Sequence, residues 1–132
     1  MSDPHQDSPH SLLDALEQAQ SLADLGQYLD AIALLKQHLS KHPSTSTAWK
    51  LKGDYLIALK RSAEALDSYD RAISTAWFEP ENWYARGRLF EQMGAYGNAV
   101  ENYNRAMSLS PDPQYQEAQA NIYAQKKLVL VA

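Results

Sequence analysis

A 34-residue self-similarity constrains this chain more than any other feature. Trp49 and Trp83 stand 34 residues apart, and so do Gly53 and Gly87, Ala65 and Ala99, Tyr69 and Tyr103, and Ala72 and Ala106. Pro43 and Pro111 fall on the same grid, two periods apart. A unit of that length cannot bury its own apolar faces, so successive copies must stack and share a continuous core.

The punctuation between matches predicts helices. Residues 1–10 hold two Pro, two Ser, two Asp and two His, and read as a flexible leader. Ser11 is placed to cap a helix over Leu12–Leu25, with Asp14 in its first turn, and Gly26 ends it. Tyr28–Lys41 forms the next, with Ile32, Leu35 and Leu39 on one face, and Pro43 stops it. The Ser/Thr run 44–47 offers a cap for Thr47–Leu59, and Ser62–Ala76 follows. Pro80 suits the first turn of a helix over Glu81–Met93, Gly94 separates this from Tyr96–Leu109, and Pro111-Asp112-Pro113 closes the unit. A final helix, Gln114 to about Leu128, has no partner and caps the stack.

Composition excludes several classes. The chain has no Cys, hence no disulfide framework, thiolate metal site or thiol nucleophile. Its 45 % hydrophobic content suffices for one core. Apolar runs such as Leu128–Ala132 are far too short to span a bilayer, and no secretory signal is visible, so a cytoplasmic location is expected and no membrane insertion. The net charge is −4, and residues 1–30 carry Asp3, Asp7, Asp14, Glu17, Asp24 and Asp30 without any Lys or Arg. No basic stripe stands out, which argues against nucleic acid as a partner. The sequence contains no GxGxxG, P-loop, HExxH or GxSxG motif, so no enzymatic activity and no cofactor is expected.

Early Trp and Gly, later Ala and aromatic residues, and Pro near the end of each period resemble the tetratricopeptide repeat (TPR) family. The resemblance implies an all-α fold: a right-handed α-solenoid of three TPR helix pairs plus a C-terminal capping helix. Repeats are then expected at about 12–45, 46–79 and 80–113, with a cap over 114–128, a domain over 11–128 and an apolar tail over 129–132. It further implies that Gly53 faces Ala65 and Gly87 faces Ala99, that Trp49, Tyr69, Trp83 and Tyr103 are large fillers, and that Ala72 and Ala106 let the following helix dock. The first repeat departs from the pattern, with Ala15, Leu35 and His38 at the Trp, aromatic and small-residue positions.

In this family the first helices of successive repeats line a concave groove that holds a peptide or partner helix. Carried over by position, the lining is Leu13, Leu16, Gln20, Thr47, Lys50, Asp54, Ile57, Glu81, Tyr84, Arg88, Glu91, Tyr115 and Ile122. Its mixture of aromatic, aliphatic and charged residues of both signs suits an amphipathic or extended segment. One subfamily grips the carboxylate of chaperone tails with a Lys/Asn/Asn/Lys/Arg set. Here Leu16, Gln20, Leu51, Glu81 and Ala85 occupy those places, so such tails are not expected partners.

Three features fall outside the groove. Trp77 and Phe78 lie between repeats two and three, either as a contact site or folded back as core. His38 and His42 are spaced i, i+4, but no third ligand is evident; at a helix C-terminus the dipole favours their charged forms, and no metal is expected. The segment Leu128-Val129-Leu130-Val131-Ala132 either folds back, crosses to a second copy or inserts into a partner. The expected function is protein–protein interaction as an adaptor or assembly factor. The alternatives are a secretion-type chaperone for an export substrate, or a structural subunit of a larger complex; homo-oligomers are compatible with all three.

Overall fold

A computed structural model of the protein describes residues 9–125. Among the described residues there are seven α-helices and no strand: α1 Pro9–Asp24, α2 Tyr28–Lys41, α3 Ser46–Ala58, α4 Ser62–Thr75, α5 Pro80–Gln92, α6 Tyr96–Leu109 and α7 Pro113–Ala124. The first helix starts at Pro9, so Ser11 lies inside it rather than capping it: a Pro needs no intrahelical N–H partner and fits a first turn as well as a cap does. Thr45 is the N-cap of α3, but its side chain makes no cap bond; its hydroxyl meets His38 Nε2 at 3.2 Å instead. The expected end of the last helix near Leu128, and the whole 128–132 segment, lie outside the described residues.

The three turns inside the repeats use one device. Gln27 N–H donates to Leu22 O, Arg61 N–H to Leu56 O and Ala95 N–H to Phe90 O, each at 2.9 Å. Gly26, Lys60 and Gly94 N–H groups close the inner bonds to Ala23, Ile57 and Glu91 carbonyls at 2.9, 2.8 and 3.0 Å. This is the Schellman pattern, which needs a left-handed residue just past the helix end. Gly26 and Gly94 supply it at φ +79°, and Lys60 does so at φ 60°.

The chain divides into two compact units, one ending at Ser68 and the other beginning at Tyr69. In the first, α1 packs on α2 and α2 on α3. Ala19, Ala31, Leu35, Ala48, Leu56 and Ala65 are its buried centre. In the second, α6 packs between α5 and α7, and Ala99, Val100, Tyr103 and Ile122 form its core. The periodic positions are buried alike: Ala31, Ala65 and Ala99 at one, Leu35, Tyr69 and Tyr103 at another.

Gly87 is buried, and the space beside it is filled by α6. A Cβ placed there would stand 2.6 and 2.8 Å from two ring carbons of Tyr103 and 3.1 Å from the Cβ of Asn102. The nearest neighbour of Gly87 is therefore the Tyr103 ring, two carbons of which take the space a side chain would need. Asn82, also buried, donates from Nδ2 to the carbonyls of Ala72 (3.3 Å) and Ala76 (3.2 Å), so the end of α4 is bonded to the start of α5.

Candidate functional site

In the second unit, α5 presents Tyr84, Arg88 and Glu91 at i, i+4 and i+7, one face of a helix. Across from it α7 presents Gln114, Glu117, Ala118 and Asn121, and Tyr103 of α6 rises between them. Together these residues enclose an open cleft of about 350 Å³, and Arg88 and Glu91 continue into a neighbouring hollow with Gln92 and Tyr96.

The floor is aromatic. The Tyr84 ring centre lies 5.1 Å from that of Tyr115 and 5.7 Å from that of Tyr103, both tilted. Tyr103 donates its hydroxyl to Glu91 Oε1 at 2.8 Å. Burial raises its pKa far above the ordinary tyrosine value, and the hydrogen bond to Glu91 adds to the shift, so the phenol stays a donor. Burial likewise raises Tyr115, helped by Asp112, Glu81 and Tyr84. The Arg88 guanidinium sits 5.9 Å from the Tyr84 ring. The cleft can therefore bond polar groups at its rim, where Arg88, Gln114, Glu117 and Asn121 are exposed, with the half-buried Tyr84 as the aromatic surface open to a partner.

Of the residues expected in a groove, Tyr84, Arg88, Glu91 and Tyr115 are brought together here, and Glu81 is exposed in the first turn of α5. Ile122 is not a lining residue. It is fully buried against Ala99, Val100 and Tyr103, because at the place where α5 carries Arg88 an isoleucine gains more from the core than from solvent. Tyr103, Gln114, Glu117, Ala118 and Asn121 were missed. For the four on α7 the signal was the i, i+3, i+4, i+7 pattern of that helix, one face over from the carried-over positions; Tyr103 was read only as a large filler.

The remaining candidates belong to the first unit. Leu13, Gln20 and Thr47 are exposed, Leu16 and Ile57 half-buried, and Lys50 Nζ pairs with Asp54 Oδ2 at 3.0 Å. Beside them Tyr55 is buried, its hydroxyl without a hydrogen-bond partner among the described residues and its pKa raised by burial and then by Asp54, Asp24 and Tyr28. An acidic hollow lies on α1 along Asp14, Glu17, Gln18, Ser21 and Leu22.

Outside the cleft, Arg86 bonds Asp70 Oδ1 and Asn102 Oδ1 at 2.9 Å each and lies 5.1 Å from the centre of the Trp83 ring. Lys52 lies at the same distance over Trp49, its counterpart one period earlier. The rings of His38 and His42 stack at 4.9 Å. Burial, and then His42, lowers the His38 pKa, overriding the dipole's preference for charge. Among the described residues no group of three or more potential metal ligands is present. Trp77 and Phe78 are 63 % and 56 % exposed, so neither folds back as core.

Helix pairs closed by one repeated turn, with an aromatic cleft between first helices, define a repeat protein of the helix-pair class. Two family models, both described as tetratricopeptide repeat, match residues 16–80 and 80–113, and the chain belongs to the tetratricopeptide repeat family. A "DnaJ homolog subfamily C member 3 homolog" of Dictyostelium discoideum is 27 % identical over 101 residues, 73 % of this chain; the chain spans only 20 % of that relative's length. A crystal structure of MamA matches with a TM-score of 0.79 at 22 % identity, over 92 % of this chain and 72 % of that one. The first TPR of Spaghetti (RPAP3), bound to the HSP90 peptide SRMEEVD, matches with a TM-score of 0.81 at 17 % identity, over 88 % and 95 % of the two chains. At these identities the structural likeness concerns the fold. Among the described residues no helix is long and apolar enough to cross a membrane.

Proposed function

We propose that the protein is a protein-interaction module, an adaptor or assembly factor, that holds a segment of a partner protein in the cleft between α5 and α7. The observation that carries this reading is the cleft in which Tyr84, packed on the buried Tyr103 and Tyr115, lies beneath a rim of exposed Arg88, Gln114, Glu117 and Asn121. A rigid floor leaves little ordering cost to the protein, and the rim amides suit the backbone of an extended segment. A fold neighbour holding a peptide supports this use of the architecture. An acidic chaperone tail is a poor candidate occupant: at the places where a carboxylate grip needs cations and amides stand Leu16, Leu51, the exposed carboxylate Glu81 and the buried Ala85.

The test is affinity capture from the source cell with the wild type and with Arg88→Glu and Glu117→Lys, two exposed rim changes. A partner lost with both variants, and retained by the stably folded Lys36→Glu control on the exposed side of α2, is the expected result. Equal recovery on all four baits would place the binding surface elsewhere.

A further inference from the structure

Two opposite charges line the cleft without pairing. Arg88 stands on the α5 side and Glu117 on the α7 side; both are exposed, and among the described residues no ion pair joins them. Arg88 is turned onto Tyr84 instead, its guanidinium 5.9 Å from the ring centre. The remaining charge in the lining, Glu91, is half-buried and accepts the Tyr103 hydroxyl on Oε1 at 2.8 Å, which fixes it at the floor. Glu117 is the one charged residue of α7. On α5, Arg86 is taken up outside the cleft by Asp70 and Asn102, and Glu81 is exposed in the first turn without lining the cleft. The rim thus offers a cation on one side and an anion on the other.

Such a rim discriminates by charge pattern. A segment with charges of one sign gains at one side and is repelled at the other, whereas a segment with both signs gains at both. A guanidinium lying against a ring keeps N–H donors for a carboxylate, and a carboxylate without an ion pair keeps acceptors for an ammonium or guanidinium. The two sides are close: the Tyr84 ring of α5 and the Tyr115 ring of α7 are 5.1 Å apart, and the cleft of about 350 Å³ holds few side chains. The complementary charges must therefore sit close together in the occupant.

We propose that the cleft between α5 and α7 selects a partner segment carrying an acidic and a basic residue as near neighbours in sequence, the acid meeting Arg88 and the base meeting Glu117. This rests on the reading of the cleft as the partner site and adds the chemistry of the occupant. Purely acidic and purely basic segments are both disfavoured by it.

The experiment is selection of random peptides from a display library on three full-length baits: the wild type, Arg88→Glu and Glu117→Lys. Both positions are exposed, so the melting curves should match and all three baits should be folded. The wild type is expected to enrich peptides in which an acid and a base lie within a few positions of each other. Arg88→Glu, with an anion on each side, should enrich paired bases instead, and Glu117→Lys paired acids. A peptide chosen by the wild type should bind each variant about tenfold more weakly in calorimetry, and weaken further with salt. Enrichment of one sign by the wild type, with binding still lost in the variants, would overturn the charge pair and leave the cleft as the partner site. Peptides that bind all three baits equally would overturn both, and so would a library from which no bait enriches anything.

Discussion

Lys60 holds the left-handed turn position that Gly26 and Gly94 fill in the other repeats. A side chain at positive φ is strained, and the extra freedom a glycine gives the unfolded chain only partly offsets the relief of that strain. Lys60→Gly is therefore expected to stabilise the fold by about 0.5–1 kcal/mol, seen as a higher urea midpoint. At Gly87 the constraint is space instead: Gly87→Ala should cost about 1–3 kcal/mol, because its methyl would stand within 3 Å of the Tyr103 ring. His38 sets a pH dependence. Its pKa in the folded chain is below the ordinary 6.5, so folding disfavours its proton. The stability it contributes is complete above pH 6.5 and is lost as pH falls through that value towards the lowered one. Melting temperature should drop over that window, and His38→Asn, which cannot take up a proton, should flatten the slope; an unchanged slope would remove His38 as its source.

At the scale of elements the joints stand out. Each indole N–H of Trp49 and Trp83 is bonded to the carbonyl six residues before it, which ties a helix to the loop that leads into it. Trp83→Phe keeps most of the ring and deletes the N–H, and should cost about 1 kcal/mol with faster amide exchange at the start of α5. These elements were legible in advance because Pro, Gly and the 34-residue register punctuate them; helix limits in the second and third repeats fall within a residue of expectation. Ser11 misled because a capping residue close behind a proline leaves two acceptable starts. The cleft was half legible. Tyr84, Arg88 and Glu91 follow from one helical face, whereas Ile122 was assigned by position without weighing that an isoleucine prefers the core. The rim of α7 went unseen for the same reason.

Across the whole molecule, stability and recognition share residues. Tyr84 touches both Tyr103 and Tyr115, so Tyr84→Ala should lower the melting temperature as well as affinity, and the cleaner probes of binding are the exposed Arg88 and Glu117. A loss of binding in Arg88→Glu of about 1 kcal/mol or more at unchanged melting temperature is the expected signature, measured by calorimetry with the captured partner. The placement of the three tryptophans has a practical consequence. An indole's emission colour follows the field and water around its ring. Trp77 is bathed in solvent, whereas Trp49 and Trp83 are half-covered, each with its N–H bonded and a cation over its face. Trp77 should emit furthest to the red and be quenched most by iodide. Trp49 belongs to the unit ending at Ser68 and Trp83 to the unit beginning at Tyr69, so variants that keep one indole at a time give each half of the molecule its own built-in optical reporter, without any attached dye.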